Sequence, residues 1–279
     1  MGHPNKLNRA SLLERIPDLN SVYFFEELDS TSDFAKSWIA EPSMTVSSAT
    51  QSDSQLPALI YTSRQTRGRG RAGKSWFSGV GSMTFTFVVE GSSDHSAAKD
   101  SLLWGCATAI ALNRFSGSGD SPFLIKWPND IIAGRGKVAG ILIETVAQAP
   151  SVRIVGIGIN LNNESFLPLE DSPFAPISFF QTSGKKMDPL DLLGSLWENF
   201  RSLQNRPLED LLNKIREIDF LEGKTVRIAV PAIPGETLSN PGVLIQGRYE
   251  GLSPNGSLRL RVGDQTREFQ SASIVDVTG

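Results

Sequence analysis

With 279 residues and 27 Lys and Arg against 30 Asp and Glu, the chain has room for one good core plus a small appended domain, and its net charge of −3 disfavours general nucleic-acid binding. One cysteine, Cys106, excludes an internal disulfide and a thiolate metal cluster, and His3 and His95 are too few for a histidine-based metal site. No apolar run reaches the ~18 residues of a membrane span and no signal-peptide core follows Met1; Gly2 is not in a myristoylation signal, because Lys6 stands where that signal wants Ser or Thr. A reducing cytoplasm is the expected setting.

In chain order, a polar N-terminal stretch leads into a strand over Ser21 to Leu28, followed by a short helix capped by Ser30 or Thr31 with Phe34 and Trp38 on one face. Plain capping and a pair of ligand-facing hydroxyls are equally open for Ser30 and Thr31. Residues 41 to 57 read as a surface loop and Ala58 to Thr62 as a strand. Then comes the most unusual stretch, Arg64 to Trp76 (RQTRGRGRAGKSW). It holds Arg64, Arg67, Arg69, Arg71 and Lys74, no acid, and Gly68, Gly70 and Gly73, and is followed by an alternating strand over Met83 to Val89. A cationic, glycine-rich connection between two strands suits an anionic ligand. Gly68 to Ser75 formally matches the phosphate-loop pattern, but that loop feeds a helix N-terminus, and WFSGVG (76 to 81) has neither cap nor helical periodicity. A solvated RNA-binding Arg-Gly tract is the other reading, weakened by the acidic background and the lack of interleaved aromatics.

Asp100 reads as the cap of an apolar helix, Ser101 to Phe115, laid against a sheet, with Cys106 as small buried packing and the glycines of residues 116 to 119 as its stop. Phe123 to Lys126 is a short strand ending in Trp127, Pro128, Asn129 and Asp130. Taken alone this is a surface turn, though one that presents Lys126, Asn129 and Asp130 at a strand end. Lys137 to Val146 and Val152 to Asn160 form an antiparallel pair interrupted by Gly140, Gly156 and Gly158. Glycine in a buried strand marks a bulge or a close approach of ligand or backbone; packing against Trp127 would account for one of the three. Residues 163 to 188 read as an irregular connection, Asp188-Pro189 opens a helix to Leu203, and Pro207 starts another. From Gly223 the chain is short alternating strands (Lys224 to Val230, Val243 to Gly251, Ser257 to Val262, Gln265 to Phe269, Ser273 to Val277), with turns at Asn255-Gly256 and Gly263-Asp264. The fold expected is α+β, a mixed and largely antiparallel sheet with packed helices over residues 1–220, and a small β-barrel over 221–279.

GRGRAGKSW (68 to 76), KWPND (126 to 130), GKVAGILIE (136 to 144) and GIGIN (156 to 160) occur in the order and approximate spacing of biotin protein ligases, and the chain resembles that family from about Phe25 to Asn162. The resemblance implies a biotin/lipoate ligase-like catalytic domain with an SH3-like C-terminal module. It implies adenylation of biotin by MgATP, then acyl transfer to a lysine of a biotin carboxyl carrier domain, for example of acetyl-CoA carboxylase. By the same similarity Ser30, Thr31 and Gln65 hydrogen-bond the ureido ring; Gly68, Arg69, Gly140 and Gly158 line or support the pocket; and Ile141 and Leu142 give it an apolar wall. Lys137 resembles the lysine bridging the biotin carboxylate and the α-phosphate. Arg71 retains the adenylate, Trp76 stacks near adenine, Asp130 and Asn160 stand near magnesium and phosphate, and Arg69, Lys74, Lys126 and Asn129 complete the nucleotide set. Asp130 would assist the acceptor lysine, although no sequence feature identifies a base. Departures are Ser32 where Asn is usual, Ala72 after Arg71, and Lys74 where Arg is frequent. The short stretch before the first strand fits the non-regulatory type without a DNA-binding domain, and a homodimer follows only by analogy. A lipoate or octanoate ligase of the same architecture is the nearest alternative.

Overall fold

The structure is a computed structural model and describes residues 7–41, 54–91, 97–117, 122–166, 173–230 and 243–279. The expected glycine stop at 118 and 119, most of the 41–57 loop and residues 167–172 of the irregular connection lie outside them, as do Gly2, His3, Lys6 and His95.

An eight-stranded sheet organises the molecule, in the order β1 (Ser21–Leu28), β2 (Ala58–Gln65), β3 (Ser82–Glu90), β7 (Ala149–Asn160), β6 (Gly136–Val146), β5 (Asp130–Ala133), β4 (Leu124–Lys126), with β8 (Ala175–Pro176) added alongside β6. β1/β2 and β6/β8 are parallel and the other pairs antiparallel, so the expected mixed, largely antiparallel sheet is what the chain forms. Strand alternation gives it two unlike faces. Met83, Phe85, Phe87 and Val89 of β3 join Val155, Ile157 and Ile159 of β7 and Ala139 and Ile141 of β6 in one apolar cluster. Over it lie α3 (Ala97–Ser116) and α5 (Pro189–Leu203), locked by Trp104 on Phe200 with ring centroids 3.9 Å apart and Phe87 on Trp197 at 5.0 Å. The opposite face carries Thr84, Thr86, Gly156, Gly158, Gly140 and Leu142 and is spanned by α2 (Thr31–Ile39), which buries Ala35, Trp38 and Ile39 on it.

Local details differ from the sequence reading where side chains found better partners. α3 starts at Ala97, so Asp100 sits in its first turn instead of capping it, and its carboxylate takes Arg153 Nε of β7 at 2.7 Å. The polar N-terminal stretch contains α1 (Arg9–Arg15), nucleated by a reciprocal capping box between Asn8 and Ser11. The connection expected to be irregular contains β8 and α4 (Phe179–Ser183), the latter boxed by Ser178 and Gln181. Trp127-Pro128-Asn129 is a turn, but not a surface one: it joins β4 to β5 with Lys126 facing Asp130, and Trp127 and Lys126 are buried.

After α6 (Leu208–Arg216) a second, five-stranded antiparallel sheet follows in the order β12 (Gln265–Phe269), β11 (Leu258–Val262), β10 (Val243–Leu252), β9 (Thr225–Val230), β13 (Ser273–Thr278), consistent with an SH3-like module. Gly256 (φ 80°) and Gly263 (φ 58°) supply the left-handed turn residues. Its Val226, Ile228, Leu258 and Leu260 belong to the same apolar cluster as the large sheet, and Trp127 Nε1 donates to Gly256 O at 3.1 Å. At the junction Ile125 exchanges backbone bonds with Ile218 and Phe220, while Asp219 accepts Tyr249 Oη–H at 2.5 Å and Leu221 N–H at 2.8 Å.

Burial pushes the Asp219 carboxyl up to about 6, against the Tyr249 and Leu221 hydrogen bonds and with Glu222 adding to the rise and Lys224 opposing it. A folded pKa above the unfolded one means the contribution to stability is fully present below pH ~4 and lost as pH rises through ~6. The loss amounts to roughly 3 kcal/mol at most. Urea unfolding of wild type and Asp219→Asn between pH 4.5 and 8 is expected to show that decline in the wild type and a flatter profile in the variant.

Candidate active site

The α2-covered face of the sheet opens into a cleft of about 470 Å³, solvent-filled space included. Its floor is made by cross-strand register. Gly140 of β6 lies opposite Gly158 of β7, Leu142 opposite Gly156, and on the other side of β7 Thr84 and Thr86 of β3 face Gly158 and Gly156. The three glycines are therefore neighbours on one face, leaving a strip of bare backbone flanked by one leucine and two hydroxyls. Trp127 is not what they accommodate. A Cβ on Gly156 would sit 2.5 Å from Ser32 Oγ, one on Gly158 2.3 to 2.6 Å from the Trp76 indole, and one on Gly140 3.1 Å from Lys137 Nζ.

One end of the cleft is neutral and polar. Ser30 caps α2 by accepting Asp33 N–H at 3.3 Å, and Thr31 donates to Gln65 Oε1 from its backbone N (2.8 Å) and its hydroxyl (3.1 Å). Thr86 Oγ1 donates to Thr31 Oγ1 at 2.8 Å and pairs with Ser32 Oγ at 3.2 Å. Capping and lining the cleft thus coexist at the start of α2. Gly68 stands just behind, where a Cβ would hit Trp76 O and Gln65 Nε2.

The other end is ionic. Asp130 opens β5 and is gripped by two lysines, Lys126 Nζ at 2.7 Å and Lys137 Nζ at 2.6 Å, one to each carboxylate oxygen. Burial alone would raise this carboxyl, but the charges and hydrogen bonds of Lys126 and Lys137 hold it well below the usual carboxylate range. Burial lowers the Lys126 ammonium, opposed by Asp130. A register shift between Ile131 and Ile132 puts Ala139 opposite Ile131 but Lys137 opposite Ile132. Val138 is the extra residue, and this bulge turns Lys137 onto the cleft face beside Gly140.

The basic loop closes over this floor. Arg71, in a single 3-10 turn (Arg71–Gly73), reaches Asn129 Oδ1 at 3.2 Å, while Asn129 Nδ2 donates to Ile141 O at 2.8 Å. Burial lowers the Arg71 guanidinium, against the nearby Asp130 charge. Arg69 is latched to Asp33 (2.7 Å) and Glu144 (2.8 Å), Arg64 pairs with Glu27 at 2.9 Å, and Arg67 with Asp29. No helix follows the loop, so the phosphate-loop match is accidental.

Of the residues singled out from sequence, Ser30, Thr31, Gln65, Arg69, Arg71, Trp76, Asn129, Lys137, Gly140, Leu142 and Gly158 line the cleft. Lys126, Asp130 and Asn160 stand behind Lys137: Asn160 Nδ2 donates to Lys137 O at 3.1 Å. Lys74 is exposed on the loop, close enough for its charge to lower Lys126 further. Trp76 lies flat on the Gly158 and Gly140 backbone, with Lys137 Nζ 5.8 Å from its ring centre. Ile141 contributes backbone only, since its side chain is in the core under α3. Sequence reasoning missed Thr86 and the linking role of Ser32; the Thr84/Thr86 alternation inside an apolar strand was the available signal.

Residues 38–162 match the Biotin/lipoate A/B protein ligase family. A biotin–[acetyl-CoA-carboxylase] ligase of Paracoccus denitrificans is 29% identical over 210 residues, 73% of this chain and 84% of that protein. The bifunctional ligase/repressor BirA of Bacillus subtilis is 33% identical over 133 residues, and the chain spans 40% of its length. A biotin protein ligase of Aquifex aeolicus, solved in complex with biotin and ATP, superposes with a TM-score of 0.72 at 25% identity, covering 91% of this chain and 98% of that one. Fold, cleft and motif order define a ligase-type catalytic module. In fold, cleft and motif order the chain is similar to the biotin/lipoate A/B protein ligases.

Because Lys126 is buried against Asp130, Lys126→Met leaves that carboxylate facing Lys137 alone. Chemical denaturation should show a loss of roughly 3 kcal/mol, with secondary structure retained by circular dichroism.

Proposed function

We propose that the chain is an ATP-dependent biotin protein ligase. It joins the biotin carboxylate to the α-phosphate of MgATP with loss of pyrophosphate, then passes the acyl group to a lysine of a biotin carboxyl carrier domain such as that of acetyl-CoA carboxylase. The observation that carries this is Lys137, aimed by the β6 bulge onto a bare glycine floor between a neutral hydroxyl-amide end and the Asp130–Lys126 pair. A flat bicycle with a polar ureido head needs that floor and that end; two anions brought into attack geometry need that cation.

In the first step a carboxylate oxygen attacks the α-phosphorus and pyrophosphate departs. Ser30 Oγ accepts from Asp33, so its own hydrogen is free to point at the ureido carbonyl beside Thr31 and Gln65. Gly68, Arg69, Gly140, Leu142 and Gly158 shape the pocket, and Trp76, packed at its edge, is placed to stack near adenine. Lys137 screens the repulsion between carboxylate and phosphate; Asp130 and Lys126 fix its direction. Arg71, Lys74 and Asn129 face the nucleotide, Asn129 mainly by holding Arg71. Magnesium enters as MgATP: both Asp130 oxygens are engaged by lysines, and no group of three or more His, Cys, Asp or Glu suited to a metal occurs among the described residues, so phosphates would supply most of its ligands. In the second step the acceptor amine, having lost its proton, attacks the acyl carbon, AMP leaves and an amide forms. We assign residues 1–220 to catalysis and 221–279 to a module that braces β4 and β5 through the Trp127–Gly256 contact. The ATP requirement and the single buried cysteine suit the cytoplasm, and no described helix is long and apolar enough to cross a membrane.

Pyrophosphate exchange into ATP with Mg²⁺ should proceed with biotin and not with lipoate, and should fall at least ~10²-fold in Lys137→Ala. Exchange with lipoate alone would transfer the mechanism to the other half of the family; exchange with neither would reject the ligase reading. For Arg71→Gly, exchange should persist while free adenylate appears in the filtrate faster than from wild type; an unchanged release rate removes Arg71 as the retaining group.

A further inference from the structure

We propose that the Phe77–Val80 knuckle at the lip of the cleft is the docking contact for the carrier domain that delivers the acceptor lysine. This rests on the ligase reading. Val80 is fully exposed and Phe77 54% exposed; among the described residues the other exposed large apolar side chains are Val243 and Leu244 in the second sheet. The Phe77 ring lies over Gly79, where a Cβ would come within 2.8 Å of it, so the pair presents a blunt apolar tip.

This tip is built, not loose. Gly79 and Ser82 exchange bonds (Ser82 N to Gly79 O, 3.0 Å; Gly79 N to Ser82 Oγ, 3.2 Å), and Asn163 Nδ2 donates to Val80 O at 3.0 Å and to Ser82 Oγ at 2.8 Å. Asn162 N donates to Gly81 O at 2.8 Å. Gly81 has φ 88°, and a Cβ there would lie 2.6 to 2.7 Å from the backbone of Asn162 and Asn163. Presenting two exposed apolar side chains on a fixed backbone has no value to the isolated fold, whereas a preorganised anchor lowers the cost of association.

Position selects the occupant. Phe77 directly follows Trp76, which lies on the cleft floor, and the same loop carries Arg71 and the exposed Lys74. A partner that delivers an amine to the cleft lies beside this knuckle, on a surface that tolerates a cationic rim. Two side chains are too few for a lasting homodimer but suit a protein substrate that leaves after each turnover.

The test uses the full-length chain with Phe77→Ser, Val80→Ser and the double variant, an unmodified carboxyl carrier domain as acceptor, and hydroxylamine as a small nucleophile. We expect kcat/KM for the carrier to fall about tenfold or more in the double variant through KM. Biotin-dependent pyrophosphate exchange and hydroxamate formation should be unchanged. Unaltered transfer to the carrier overturns the proposal, and so does a loss of exchange or hydroxamate formation, which would make the knuckle part of the cleft. A variant-dependent change in sedimentation without carrier overturns it in favour of a second copy of the chain. Failure of wild-type exchange with biotin is a separate result and rejects the underlying reading.

Discussion

The site depends on one buried carboxylate shared by two lysines. Asp130 keeps two cations, Lys126 and Lys137, within 2.7 Å of its oxygens at the end of a sheet, where the buried Lys126 would not stay charged cheaply alone. The sum is one net positive charge, fixed in direction and partly shielded from water. Everything around it serves that placement. The β4–β5 turn sets Lys126 opposite Asp130, the bulge at Val138 swings Lys137 to the cleft side, and Asn160 ties the Lys137 carbonyl to the end of β7. A cation so held meets incoming anions without reorganising, which is where electrostatic catalysis draws its advantage.

The same turn also joins the two sheets. Trp127, between Lys126 and Asn129, sends its indole N–H to Gly256 of the second sheet, while Asn129 binds the Ile141 carbonyl and the Arg71 guanidinium. Within five residues the chain thus fixes the ion cluster, the second sheet and the closing loop. Replacing a part of this turn would be felt at all three, even where the altered side chain touches no ligand.

What was legible in the sequence follows from what is local or periodic. The Met83–Val89 alternation, the Gly140, Gly156 and Gly158 interruptions and the Asp188-Pro189 helix start are local signals, and the folded chain matches them. Asp100 misled because a cap position and a first-turn position look alike until Arg153, 53 residues away, is brought beside it. Ile141 misled because it adjoins Leu142: strand alternation allows only one of the two on the cleft face, and the pairing of Leu142 with Gly156 leaves Ile141 in the core. Trp76 was recognisable from its motif, whereas its packing on the Gly158 and Gly140 backbone is set by cross-strand register.

The basic loop shows why composition alone overstates anion binding. Arg64, Arg67 and Arg69 are engaged with Glu27, Asp29, Asp33 and Glu144, so the loop's charge is largely spent on holding itself down. Arg64 and Arg67 are 67% and 79% exposed and Arg69 38%, a setting in which ion pairs contribute little to stability and weaken in salt. Arg71 is different: it is half-buried and takes a neutral amide that is itself clamped to β6. The loop can therefore lift at its outer latches for little energy while the floor and the Asp130 cluster stay in place. A reaction in two steps, with a water-sensitive intermediate between them and a different partner entering for each, requires such a division between a rigid base and a cheaply opened cover.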